Sequence, residues 1–162
     1  MKNYVLITMA AVGLFAVEFI FGEIFGRWFT PNLLILLMIF VDLHLGIRHG
    51  IFAALVAGVL QDSFYVGIFG IHTASFVACI YLTTLIRRHL FYDMEFGFLR
   101  ILMAAAMVIF ANIIQGILLS FFYSISAWQA FVFVIIPQVI ATVFAATATF
   151  KVLKRCVLNL SA

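Results

Sequence analysis

The chain has 162 residues, 67% of them hydrophobic and 9% charged, with a net charge of +3 and a mean hydropathy of +1.29. That leaves far too little polar surface to coat a water-soluble globule of this size. With two prolines, ten glycines and no long polar stretch, the composition also excludes a flexible linker or a separate soluble domain, so residues 1–162 are expected to form one integral-membrane domain.

Runs such as "LLILLMIF" and "AFVFVII" are apolar on every face, whereas the strands of a membrane barrel alternate apolar and polar positions. An all-α protein follows, with six spans near residues 4–22, 32–47, 50–66, 70–86, 101–123 and 128–150. The first exceeds a usual signal-peptide core and lacks a clean cleavage site, so it is read as a retained anchor. Glu18, Glu23 and Arg27 surround the first outer loop, and the spacing of the last two suits a local ion pair. In "FTPN", Pro31 stands at a helix start with Thr30 as its cap.

The second and third spans are short and carry Asp42, His44, Gln61 and Asp62, which leaves open a shallow hairpin that does not cross. Asp42 and His44 are two apart and so lie on different faces, which argues against a shared metal or proton site. His44 and Arg48, four apart, are expected to share a face. A polar helix end packed on a neighbour is the preferred reading over a proton relay. In the third span Ala53 with Ala57, and Ala54 with Gly58, form overlapping small-residue pairs that let another helix approach closely.

Cys79 and Cys156 are isolated and read as small apolar residues. The stretch "RRHLFYDMEFGFLR", 87–100, is expected to be an amphipathic segment on the inner leaflet. Asn112, Gln115 and Gln138 suit helix-to-helix hydrogen bonds, "YSISAW" a short outer turn, and Pro137 a kink in the last span; Trp28 and Trp128 fall at the outer interface. No nucleophile with its base, metal cluster or phosphate loop is present, so neither an enzyme nor a cofactor is expected.

Charge sets the orientation. With the amino terminus inside, the cytoplasmic segments carry eight basic residues (Lys2, Arg48, Arg87, Arg88, Arg100, Lys151, Lys154 and Arg155) and the outer loops only Arg27. This bias places both termini in the cytoplasm and favours an anionic inner leaflet, with nothing pointing to nucleic acid. Asp62, fourteen residues beyond Arg48, then lies ~21 Å across, near the outer interface. An acid at a helix C-terminus opposes the dipole, so Asp62 is expected to accept from free amides after Gly70 or to pair with Arg27; Asn in its place should keep most of that cap.

From "TPNLLILLMIF" to "TTLIRRHLF" the chain resembles the MreD family of bacterial rod-shape-determining membrane proteins. The pattern is Pro31 and Asn32 before an apolar span, Gly50 opening the next, Gly58 and Asp62 within it, Gly67 and Gly70 in the turn, then Arg87 and Arg88 ahead of Phe91. The resemblance implies a non-enzymatic scaffold in the bacterial inner membrane, bound to MreC and through it to MreB, RodA and its transpeptidase. These residues, with Arg27, are the candidates for structural or partner-facing roles. The resemblance also implies a fold similar to the substrate-binding subunits of energy-coupling-factor transporters, and with it an alternative, binding of a vitamin or metal from the outer side.

Overall fold

A computed structural model describes residues 2–26, 30–64, 69–90, 97–122 and 136–153. They form six helices: α1 (Lys2–Phe25), α2 (Leu33–Leu45), α3 (Ile47–Phe64), α4 (Ile71–Leu90), α5 (Gly97–Phe122) and α6 (Ile136–Leu153). Among them, α1 and α5 are long and apolar enough to cross a membrane by themselves.

Side-chain pairings fix the direction of each helix. Tyr4 stacks on His49 at 5.0 Å and Phe15 meets Phe64 at 5.0 Å, so α1 and α3 run parallel. Cys79 lies against the Met107 carbonyl and Gln115 reaches Ser75, which makes α4 and α5 antiparallel. Thr142, near the start of α6, meets Asn32 at the start of α2. The helices alternate in direction, placing Asn32, Asp62 and Thr142 at one end of the bundle, the Asn32 end. Lys2, Arg48, Arg87 and Lys151 gather at the other, the Arg87 end.

At the centre stands α2. It has 13 residues, about 20 Å of helix against a hydrocarbon layer of roughly 30 Å, and every residue from Leu33 to Asp42 is buried. It touches all five other helices, so its all-round hydropathy reflects packing on every side. A single residue, Gly46, separates it from α3. Its φ of +88° is a left-handed conformation that an L side chain resists, and its carbonyl accepts from the amides of His49 and Gly50. This break corrects one expectation: His44 and Arg48 are on different helices and share no face. His44 instead turns back, its Nδ1–H donating to the Phe40 carbonyl at 2.9 Å.

The small residues of α3 do what their spacing promised. Ala53, Ala54, Ala57 and Gly58 are buried, and α3 packs on α1, α2 and α4. A Cβ on Gly50 would stand 2.9 Å from Asp42 Cβ, and one on Gly58 would collide with the Thr73 backbone. Those two glycines set how closely α3 approaches its neighbours.

Other boundaries shift. Since α4 continues to Leu90 and α5 starts at Gly97, most of 87–100 is helix and only residues 91–96 lie between, outside the described residues. The described part of α6 begins at Ile136, so the turn preceding Pro137, where a kink is expected, lies outside the described residues. Asn112 bonds the Val108 carbonyl of its own helix, so of the two amides on α5 only Gln115 bridges helices. "YSISAW", Trp28, Trp128 and Cys156 lie outside the described residues.

Candidate functional site

Helix α2 ends in polar groups at both termini, and a buried helix end without partners is costly. Around those ends the other helices assemble two polar clusters.

At the Asn32 end, Asn32 is the cap: its Oδ1 accepts from the Ile35 amide at 3.1 Å. Thr30 is therefore not the cap; the helix starts two residues later than "TP" suggested, because Asn32 supplies the side-chain acceptor. Glu18 of α1 joins it, its Oε2 accepting at 3.1 Å from the Leu33 amide, which also donates to the Pro31 carbonyl at 3.0 Å. Its Oε1 accepts from Gln61 Nε2 of α3 at 2.9 Å, and the Asn32 amide donates to Thr142 Oγ1 of α6 at 3.0 Å. Three helices thereby converge on the first turn of α2. Sequence reasoning placed Glu18 by the first outer loop but gave it no partner, although an acid interrupting an apolar span was the available signal.

Beside this cluster lies the turn from α3 to α4. Gly70, with φ +103°, opens α4 and has no side chain to cap it. Asp62, at the C-terminal end of α3, supplies the missing acceptor. Its Oδ1 accepts from the His72 amide at 3.0 Å and from His72 Nδ1–H at 2.9 Å. Its Oδ2 accepts from the Thr73 amide at 3.1 Å and the Thr73 hydroxyl at 2.6 Å. Because a carboxylate only accepts, these bonds fix the His72 proton on Nδ1. The amides after Gly70 are thus the partners found. The His72 ring adds a further donor, while Arg27 and Gly67 lie outside the described residues.

At the Arg87 end the carboxyl group of Asp42 is fully buried. Thr84 Oγ1 donates to its Oδ1 at 3.1 Å, Gly50 closes over it, and Oδ2 has no hydrogen-bond partner among the described residues. Arg87 Nη1 donates to the carbonyls of Asp42 at 2.9 Å and Leu43 at 3.3 Å, covering the negative end of the α2 dipole. Arg88 follows in α4, its side chain outside those described. Replacing Arg87 with Met keeps the stem and removes both bonds; it should lower stability by about 1–3 kcal/mol, read as an earlier thermal unfolding midpoint in detergent. Lys at the same position should fall between the two.

Most of these residues are inward. Pro31, Asn32, Gly50, Gly58 and Asp62 are buried, so whatever they contribute to a partner is made by shaping the bundle. The family model described as "rod shape-determining protein MreD" matches residues 2–154.

The chain belongs to the MreD family.

No curated protein and no solved structure matches it. MreD proteins are membrane proteins of the rod-shape machinery, a shape-determining rather than a catalytic family, and the two long apolar helices fit that setting. In this MreD chain the residues that carried the resemblance sort by position: Asn32, Gly58, Asp62 and Gly70 build the Asn32 end, while Gly50 and Arg87 build the other.

Proposed function

We propose that this protein is a non-enzymatic scaffold of the cell-wall elongation machinery that crosses the inner membrane six times and holds MreC. Through MreC it connects to MreB and to RodA with its transpeptidase. The match to the MreD family over residues 2–154 carries the reading. The geometry supports it: polar side chains at both ends lock a central helix to its neighbours, which suits a rigid platform.

In this reading the Arg87 end faces the cytoplasm and an anionic leaflet, since Lys2, Arg48, Arg87 and Lys151 gather there, and both termini are cytoplasmic. The Asn32 end faces outward and offers the surface shaped by Asp62 and Gly70. The transporter alternative gains nothing comparable: the pocket that the described residues form between α1 and α3, about 70 Å³, is far below the roughly 300–1,000 Å³ of a site for a vitamin-sized ligand.

Affinity purification from native membranes should recover MreC in stoichiometric amounts, and depletion should turn rods into spheres. Normal rods and an MreC-free preparation would refute the scaffold. Recovery of an ATPase module would favour transport.

A further inference from the structure

The Arg87 end contains a carboxyl group with no charge partner among the described residues. Asp42 has no exposed surface, and a Cβ on Gly50 would stand 3.1 Å from its Oδ1, so α3 closes directly over it. Its Oδ2 is shut off from solvent and accepts no hydrogen bond from the described residues. A space so closed admits nothing larger than a proton. The neighbouring hydroxyl is shared: Thr84 Oγ1 lies 3.1 Å from Oδ1 and 3.0 Å from the Ile80 carbonyl, yet it has one hydrogen to give. With Asp42 ionised, both acceptors compete for that hydrogen. With Asp42 protonated on Oδ1, the carboxyl group donates to Thr84, Thr84 donates to Ile80, and each hydrogen has its own acceptor.

Arg87 is the third member. Its Nη1 bonds the carbonyls of Asp42 and Leu43 at 2.9 and 3.3 Å, although the guanidinium is close enough to act on the carboxyl group electrostatically. Other charges point away: Lys2 of α1, His44 of α2, Arg48 of α3 and Lys151 of α6 are exposed, and the His49 ring is turned to the Leu45 carbonyl and Tyr4. Arg100 of α5, like Arg88 and His89 of α4, has its side chain outside those described. Burial with an unpartnered oxygen opposes ionisation and Arg87 favours it, so the group stands between two forms. We propose that Asp42, Thr84 and Arg87 form a proton-controlled latch. In the protonated form Asp42 donates to Thr84 and Arg87 caps α2. When the proton leaves to water at the Arg87 end, Thr84 and the guanidinium both turn to the carboxylate. The Asp42 carbonyl, which also accepts from the Gly46 amide at 3.1 Å, then loses its second donor, and the joint between α2 and α3 loosens.

The test is infrared spectroscopy of the purified full-length protein in detergent, titrated over roughly pH 5 to 9, with Asp42→Asn as the reference. Native minus variant should show the carbonyl band of one protonated carboxylic acid. The band should give way to carboxylate as pH rises, the ratio of the two forms changing about tenfold per pH unit. Thr84→Val should move it to higher frequency, since the acceptor of the carboxyl proton is gone. Hydrogen exchange reads the latch itself: the amides of Gly46, His49 and Gly50 should lose protection over the same range, after correction for the intrinsic pH dependence. Asp42→Asn, which keeps a donor to Thr84 and carries no charge, should hold them protected throughout, and Arg87→Met should leave them unprotected throughout. Absence of the band, a band of constant intensity, or exchange that changes alike in native and Asp42→Asn protein would overturn the latch. Should Asp42→Asn fail to fold, aspartate labelled at its carboxyl carbon separates the band from those of glutamate in the native protein. A labelled band that Thr84→Val does not move would overturn the site as well. The latch does not depend on MreC being the partner.

Discussion

Alanine at position 58 should be among the most damaging single-methyl additions in the protein. The added Cβ would collide with the Thr73 Cα and lie 2.7 Å from Thr73 Oγ1. A backbone atom cannot swing aside as a flexible side chain can, so α3 and α4 must separate. Overpacking of this kind costs about 1–3 kcal/mol by itself. Here it also pulls Thr73 away from Asp62, so the loss should reach the upper part of that range or exceed it. Thermal unfolding in detergent measures it. The control is alanine at Gly116, where nothing lies within 4 Å: there the same methyl should be neutral or stabilise by up to about 1 kcal/mol through helix propensity. Similar midpoints for the two variants would mean that Gly58 does not set the α3–α4 distance.

Asp62→Ala should be comparably severe. Four bonds end on its carboxylate, two from backbone amides that have no other acceptor once α4 begins at a glycine. Bonds to a charged group are worth about 1.5–3 kcal/mol each but do not add, so a total loss near 3 kcal/mol is expected. Asparagine, expected from sequence to keep most of the cap, should keep about half. Both carboxylate oxygens accept, and an amide nitrogen in place of one of them meets the N–H of His72 or Thr73 head on. The order in unfolding midpoint is therefore native, then Asn, then Ala. If the protein holds MreC as proposed and the turn shapes that surface, folded Asp62→Asn should capture less MreC; unchanged capture would confine Asp62 to stability.

How much of this was legible beforehand depends on the distance over which each signal acts. The helices were visible because hydropathy is a local property, and the small residues of α3 because one-turn spacing is too. Asp62 could be paired with the amides after Gly70 because the two lie within one hairpin. What sequence could not supply were contacts joining distant helices. Glu18 to Leu33 crosses from one helix to the next, Asp42 to Thr84 spans 42 positions and Asn32 to Thr142 spans 110. No periodicity encodes such pairs. The His44 and Arg48 expectation failed for a different reason: equal spacing implies a common face only while one helix continues, and Gly46 ends it.

The burial of α2 has a consequence for how the protein is made. A helix emerging from the ribosome into a membrane ordinarily rests against lipid until its neighbours arrive. This one keeps no face for lipid in the finished bundle, and its polar termini draw partners from α1, α3, α4 and α6. Glu18 is already present when α2 appears, Gln61, Thr84 and Arg87 follow within two helices, and Thr142 comes only with the last. Insertion order and completion order therefore diverge: the second helix synthesised is finished only when the sixth is in place, and a chain truncated before α6 should carry an unfinished core that quality-control proteases can recognise.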